Sequence, residues 1–140
     1  LSGPGLVNIY KYLSEHPQLG DVENPKLRRL LLSSEDQAEQ ISLYALEHHD
    51  PMALRAIDVF ISIYGSVAGN LALMSLPYGG LYIAGGIAPQ LLHLMQDNRF
   101  MASFKDKGRM SGLLDSVPIN VITNTHVGLQ GAAWYAASMV

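Results

Sequence analysis

The sequence predicts a helix-rich α/β domain with one βαβ unit of two parallel strands, at about residues 81–85 and 118–123. Three observations carry that expectation. Leu81-Tyr82-Ile83-Ala84 is a short apolar run with Gly79-Gly80 before it and Gly85-Gly86 after it, the pattern of a strand covered on both faces. Pro118-Ile119-Asn120-Val121-Ile122-Thr123 is a second such run. Residues 89–96 between them read as a helix, and strands joined through a helix lie parallel.

The remaining elements follow in order. Residues 1–5 form a turn with two glycines and a proline. Leu6, Ile9, Tyr10 and Leu13 have helical spacing, which predicts a helix over 6–15. Residues 16–25 are rich in breakers and read as a loop, and 26–32 as one short helical turn. Ser34-Glu35-Asp36-Gln37 reads as a capping box, in which Ser accepts from the third helical N–H and Gln reaches back. The helix after it carries Ile41, Tyr44, Ala45 and His48 on one face.

Asp50-Pro51 starts a long helix ending near Ser75, with Asp as cap and Pro in the first turn. Leu54, Ile57, Ile61, Tyr64, Ala68, Leu71 and Ser75 trace one face. Gly65, Gly69 and Ala72 are small, so a neighbouring strand or helix is expected to approach closely. Residues 98–117 are mixed, and 127–139 form a last helix rich in Ala.

Two parallel strands leave open edges and half-covered faces, so the sheet is expected to continue in strands outside this chain. The bulk composition agrees. The 140 residues suit one domain, at 49% apolar but only 15% charged, against a usual ~25% charged. Some surface is therefore expected to be covered by other polypeptide. The opening Leu-Ser-Gly-Pro-Gly has no Met and no charged leader segment, which predicts a piece of a longer protein without a signal peptide.

Composition also excludes function classes. A net charge of −3 gives no bulk attraction to nucleic acid. With no cysteine there is no disulfide and no thiolate metal site, which fits a cytoplasmic protein. Residues 59–96 lack Asp, Glu, Lys and Arg, which raises the question of a membrane span. Ser62, Ser66, Asn70 and Ser75 within the run, and the Pro77-Tyr78-Gly79-Gly80 break after it, favour a helix buried in an α/β domain.

The strongest chemical signal is Gly85-Gly86-Ile87. Ligands in open α/β folds sit beyond the carboxyl ends of strands, and glycines there let a ligand lie against the backbone. A tight strand–helix turn without a ligand explains the same residues. Ser2-Gly3 before the first helix offers a second place for an anion or a ribose hydroxyl, or serves as a plain capped turn. His48-His49 point about 100° apart on a helix and chelate poorly, so no metal site is expected. His93 reads as a packed or half-exposed residue, and His126, after the second strand, as structural. Arg99, Lys105, Lys107 and Arg109 read as a solvated or partner-facing patch, with contact to a phosphate as the alternative. No nucleophile–base–acid arrangement is legible.

Several segments resemble bacterial-type, ATP-dependent glucokinases. They are Ser2-Gly3-Pro4-Gly5-Leu6-Val7-Asn8-Ile9-Tyr10, Gly69-Asn70-Leu71-Ala72-Leu73, residues 79–87, Phe104-Lys105-Asp106-Lys107-Gly108-Arg109-Met110 and Gly128-Leu129-Gln130-Gly131-Ala132. Their order and spacing match over essentially the whole chain, with the poorest match between Glu15 and Asp50. The resemblance implies an actin-like, ribonuclease H-like ATPase fold, of which residues 1–140 are the C-terminal part of the larger lobe. It implies phosphorylation of glucose at its 6-hydroxyl from ATP with Mg²⁺. The Asp-x-Gly-Gly-Thr phosphate loop, the Asn-Asp pair carrying the general base and the Glu-Gly-Gly-His sugar segment of that family find no match. No catalytic residue is therefore carried over, and the chain alone is expected to be inactive.

What the resemblance assigns is nucleotide contact, by Gly85, Gly86 and Ile87 in the adenosine-side loop and by Ser2 and Gly3 in a turn that approaches the nucleotide cleft. ATP and glucose are the implied partners, with neither nucleic acid nor a membrane, and open sheet edges predict a homo-oligomer. The alternative is a non-catalytic binding or regulatory module with a sugar-kinase-like fold.

Overall fold

The computed structural model describes residues 1–16, 18 and 23–139. Half of the expected loop at 16–25, residues 17 and 19–22, lies outside the described residues. Helix α1 (Gly3–Glu15) buries Leu6, Val7, Tyr10 and Leu13. Helix α2 (Pro25–Ser33) is longer than the single turn expected, because the Asn24 side chain accepts from the Lys26 N–H and Pro25 begins the helix.

Helix α3 (Gln37–His48) corrects the capping box. Asp36 is the cap, its carboxylate accepting from the Glu39 N–H at 2.9 Å. An ionised acceptor makes a stronger bond than a hydroxyl. Ser34 instead closes α2, its N–H donating to the Leu30 carbonyl, and the Gln37 amide donates to the Leu31 carbonyl. His49, in the left-handed region at φ 50°, ends α3.

Helix α4 (Pro51–Ser75) starts on buried Asp50, whose carboxylate accepts from the Ala53 N–H at 2.9 Å. It is the core of the molecule, burying Met52, Ala53, Ala56, Ile57, Phe60, Ile61, Gly65, Ala68, Gly69 and Ala72. The expected face is thus rotated: Leu71 and Ser75 are exposed. By length and composition α4 could cross a membrane, but here its buried face packs against α1, α3 and the later helix Arg99–Lys105. Val59, Ile63, Val67, Leu71 and Met74 remain exposed along another face.

Leu76, also left-handed, ends α4, and a turn at 77–80 leads into strand β1 (Leu81–Ile83). Strand β2 (Ile119–Val121) pairs with it in parallel, Leu81 opposite Ile119 and Ile83 opposite Val121. The parallel βαβ unit is as expected, but both strands are shorter than 81–85 and 118–123. Gly85 has φ +120°, which breaks extended geometry. β1 is not covered on both faces: Ile83 is buried, while Tyr82 is 62% exposed.

The expected helix at 89–96 is two short ones, α5 (Ile87–Gln90) and α6 (Leu92–Met95), separated at Leu91. The mixed segment resolves into α7 (Arg99–Lys105), a 3-10 turn at Gly108–Met110 and α8 (Ser111–Leu114). Phe100 and Phe104 of α7 are buried against the glycine face of α4. The close neighbour foreseen for Gly65 and Gly69 is therefore a helix. Helix α9 (Val127–Ser138) follows β2 and contributes no buried residue.

Candidate functional site

Two chain segments far apart in sequence form one cleft. Gly3 begins α1, and Gly86 and Ile87 begin α5. They line a cavity of about 340 Å³ together with Leu6, Asp36, Ala38, Glu39, Ser42, Phe60 and Gln90. Gly3 is tied to α3 by a close approach, since a Cβ on it would lie 3.2 Å from the Ala38 Cβ. A second, larger cleft of about 520 Å³ shares Gly3, Asp36 and Ala38 and extends along Val7, Asn8 and Lys11.

Three of the five expected residues, Gly3, Gly86 and Ile87, thus meet. Ser2 and Gly85 are exposed and do not line the cavity. Ser2 is extended and makes no side-chain cap; its carbonyl accepts from the Leu6 N–H at 3.2 Å. The first N–H groups of α1 have no partner within the helix, and Pro4 contributes none. Around Gly85 and Gly86 the space is open, and a Cβ on either would meet nothing within 4 Å. Glycine at 85 answers to its φ of +120°.

The cavity's charged lining residues are the carboxylates of Asp36 and Glu39. A polyanion would be repelled there, whereas hydroxyl and amino groups would find acceptors. Phe60 and Leu6 give it an apolar floor. Asp36, Glu39, Ser42 and Gln90 were not foreseen as site residues. Glu39 and Ser42 lie one turn apart on α3, and the true start of that helix was the signal that would have placed them.

The other candidates take structural roles. His48 packs on the Tyr44 ring, and His49 caps α3. The His126 N–H donates to Asn124 at 2.9 Å. Arg99 pairs with Asp58, Lys105 with Asp115 at 2.7 Å, and the Lys107 ammonium donates to Ser66. The basic cluster is therefore spread over the fold. Among the described residues, no three His, Asp or Glu side chains gather as metal ligands would.

The sequence profile of the family described as Glucokinase matches residues 1–139. The chain belongs to the glucokinase family. It is 41% identical to the glucokinase of Trichormus variabilis over 99% of this chain and 43% of that protein. It is 42% identical to the glucokinase of a Synechocystis species, over 98% of this chain and 41% of that one. A solved glucokinase from an Antarctic psychrotroph aligns with a TM-score of 0.74 at 32% identity, over 94% of this chain and 37% of that chain. This glucokinase-family chain thus spans about two-fifths of the length of the curated relatives it matches.

Proposed function

We propose that this chain is the C-terminal part of the larger lobe of an ATP-dependent glucokinase with an actin-like fold. In the whole protein it forms the adenosine-side wall of the cleft in which glucose receives a phosphoryl group from ATP with Mg²⁺. Gly86 and Ile87 lie along one side of the nucleoside and Gly3 along the other, with Gly85 and Ser2 at the rim of the cleft. The observation that carries the reading is the shared cleft of Gly3 and Gly86-Ile87, built by two segments about eighty residues apart.

The cleft's chemistry suits a nucleoside better than phosphates. Ala38 and Ile87 offer apolar surface to a base, and Asp36 and Glu39 offer acceptors to ribose hydroxyls. Phosphates and Mg²⁺ fall to residues outside this chain. Phosphoryl transfer needs phosphates, metal, acceptor and base held together, so the chain alone does not turn over. The proposal includes a cytoplasmic location and self-association through the open sheet edge.

Titrating the chain with adenosine, ATP and inorganic triphosphate, followed by backbone amide shifts, tests this. Adenosine and ATP should move Gly3, Gly85, Gly86 and Ile87, and triphosphate should not. Glucose-dependent ADP release by this chain above background would overturn the claim of inactivity. Adenosine shifts confined to other residues would overturn the site.

A further inference from the structure

The cleft that joins Gly3 to Gly86-Ile87 is walled by two helices. Helix α3 contributes Ala38, Glu39 and Ser42, and α5 contributes Ile87 and Gln90. Ala38 and Ser42 are four residues apart on α3, and Ile87 and Gln90 three apart on α5, so each pair shares a helix face. Each wall thus carries an apolar residue with a polar one a single turn further along. Ser42 is half-buried, and its hydroxyl donates to the Ala38 carbonyl at 3.0 Å. A hydroxyl has one proton and two acceptor lone pairs. With that proton committed inside the helix, what Ser42 presents to the cleft is an acceptor.

The rest of the polar lining has the same sign. Asp36 and Glu39 are carboxylates, which accept and do not donate when ionised. Among the described residues, no Lys, Arg or His lines the cavity. Gln90 is the lining side chain whose amide both donates and accepts. A base held between Ala38 and Ile87 meets Ser42 and Gln90 with its edge. Adenine carries an amino group with two hydrogens at position 6, whereas hypoxanthine and guanine carry an oxygen there. An oxygen opposite Ser42 sets acceptor against acceptor, or forces the hydroxyl to give up its bond to Ala38. A polar group left unpaired in a half-buried site costs more than a hydrogen bond of average quality returns, and that difference discriminates between ligands.

We propose that Ser42 selects the base: its hydroxyl accepts from the 6-amino group of an adenine nucleoside and disfavours nucleosides with an oxygen at position 6. The Gln90 amide meets the same edge of the base from the opposite wall. The bond to the Ala38 carbonyl is what makes Ser42 selective, because it fixes which way the hydroxyl proton points. Ser42 is a specificity residue with no part in the transfer step. The inference deepens the adenosine-side reading of the cleft and rests on it.

The test titrates the chain with adenosine, inosine, purine riboside and N6,N6-dimethyladenosine, reading the amide shifts of Gly3, Gly86 and Ile87. Inosine has an oxygen at position 6, purine riboside a hydrogen alone, and the dimethyl compound a nitrogen without hydrogens. Adenosine should bind about tenfold more tightly than each of the others, as one lost hydrogen bond implies. Ser42→Ala should bring adenosine and inosine to within about twofold of each other. Ser42→Thr keeps the hydroxyl and should keep the preference. Ala favours a helix more than Ser does, so the unfolding transition of Ser42→Ala should not fall, which separates lost selection from lost fold. Inosine binding as tightly as adenosine, or a preference that survives Ser42→Ala, overturns the selection and leaves the nucleoside reading of the cleft standing. So does a preference lost equally in Ser42→Thr and Ser42→Ala, which would assign it to the shape of the site. No shift at Gly3, Gly86 or Ile87 with any of these nucleosides overturns both.

Discussion

Gly65 of α4 lies directly beneath the Phe100 carbonyl of α7, so that a methyl group on its Cα would overlap that oxygen. Gly69 stands in the same relation to Phe104 one turn later. Alanine in a helix is ordinarily favoured over glycine by about 1 kcal/mol. Here backbone overlap reverses the sign, and separating α7 from α4 would cost about 1–3 kcal/mol. Gly65→Ala and Gly69→Ala should each lower the urea midpoint. Gly131→Ala, in open space on α9, should leave it unchanged or raise it. Urea unfolding of the three variants checks the contrast.

Asp50 is 4% exposed and holds the first turn of the central helix through the Ala53 N–H. Asp50→Ala removes that acceptor and leaves a buried donor unpaired, at a cost of about 1–2 kcal/mol. Asp50→Asn keeps an acceptor and should cost less. Thermal unfolding of the pair tests whether the cap, rather than side-chain volume, is responsible.

The Tyr10 hydroxyl is buried without a hydrogen-bond partner among the described residues. Tyr10→Phe should therefore be neutral or stabilising by about 1 kcal/mol. Burial raises the Tyr10 pKa above its ordinary value, and the charges of Glu23 and Asp50 push the same way. A raised folded-state pKa contributes stability that is complete below the unfolded value of about 10 and is lost as pH rises beyond it. Unfolding above pH 10 should be less steep in Tyr10→Phe. Tyr64, whose pKa burial also raises, keeps part of the slope.

Gly86 has φ −77° and open space around it, so the fold tolerates a side chain there. Gly86→Leu should leave the unfolding transition within about 0.5 kcal/mol of the parent yet abolish adenosine-induced shifts at Gly3 and Ile87. Gly85→Ala should lose stability as well, because φ +120° strains any side chain. Amide spectra with and without adenosine separate the two effects.

Much of the fold was legible from local chemistry. Asp50-Pro51 fixed the start of α4, and the paired glycines around residues 81–84 fixed β1 and the turn after it. The capping box failed because Ser34 closes α2, and the carboxylate of Asp36, two residues later, takes the cap of α3. Tyr82 was expected to be covered because an apolar run does not reveal what lies outside the chain. At the site, Gly3, Gly86 and Ile87 carried a sequence signal. Asp36, Glu39 and Ser42 did not, because their place on the cleft comes from the packing of α3 beside α1.

The β1–β2 pair has consequences for the order of opening. Three residue pairs with uncovered edges make a weak sheet, whereas Ala88 and Leu91, just beyond the diglycine, are each 1% exposed. The loop at Gly85-Gly86 is therefore moored from its downstream side. When the strands fray, the loop stays hung from α5 against the helical body, and strand amides should exchange with solvent before those of Ala88 and Leu91.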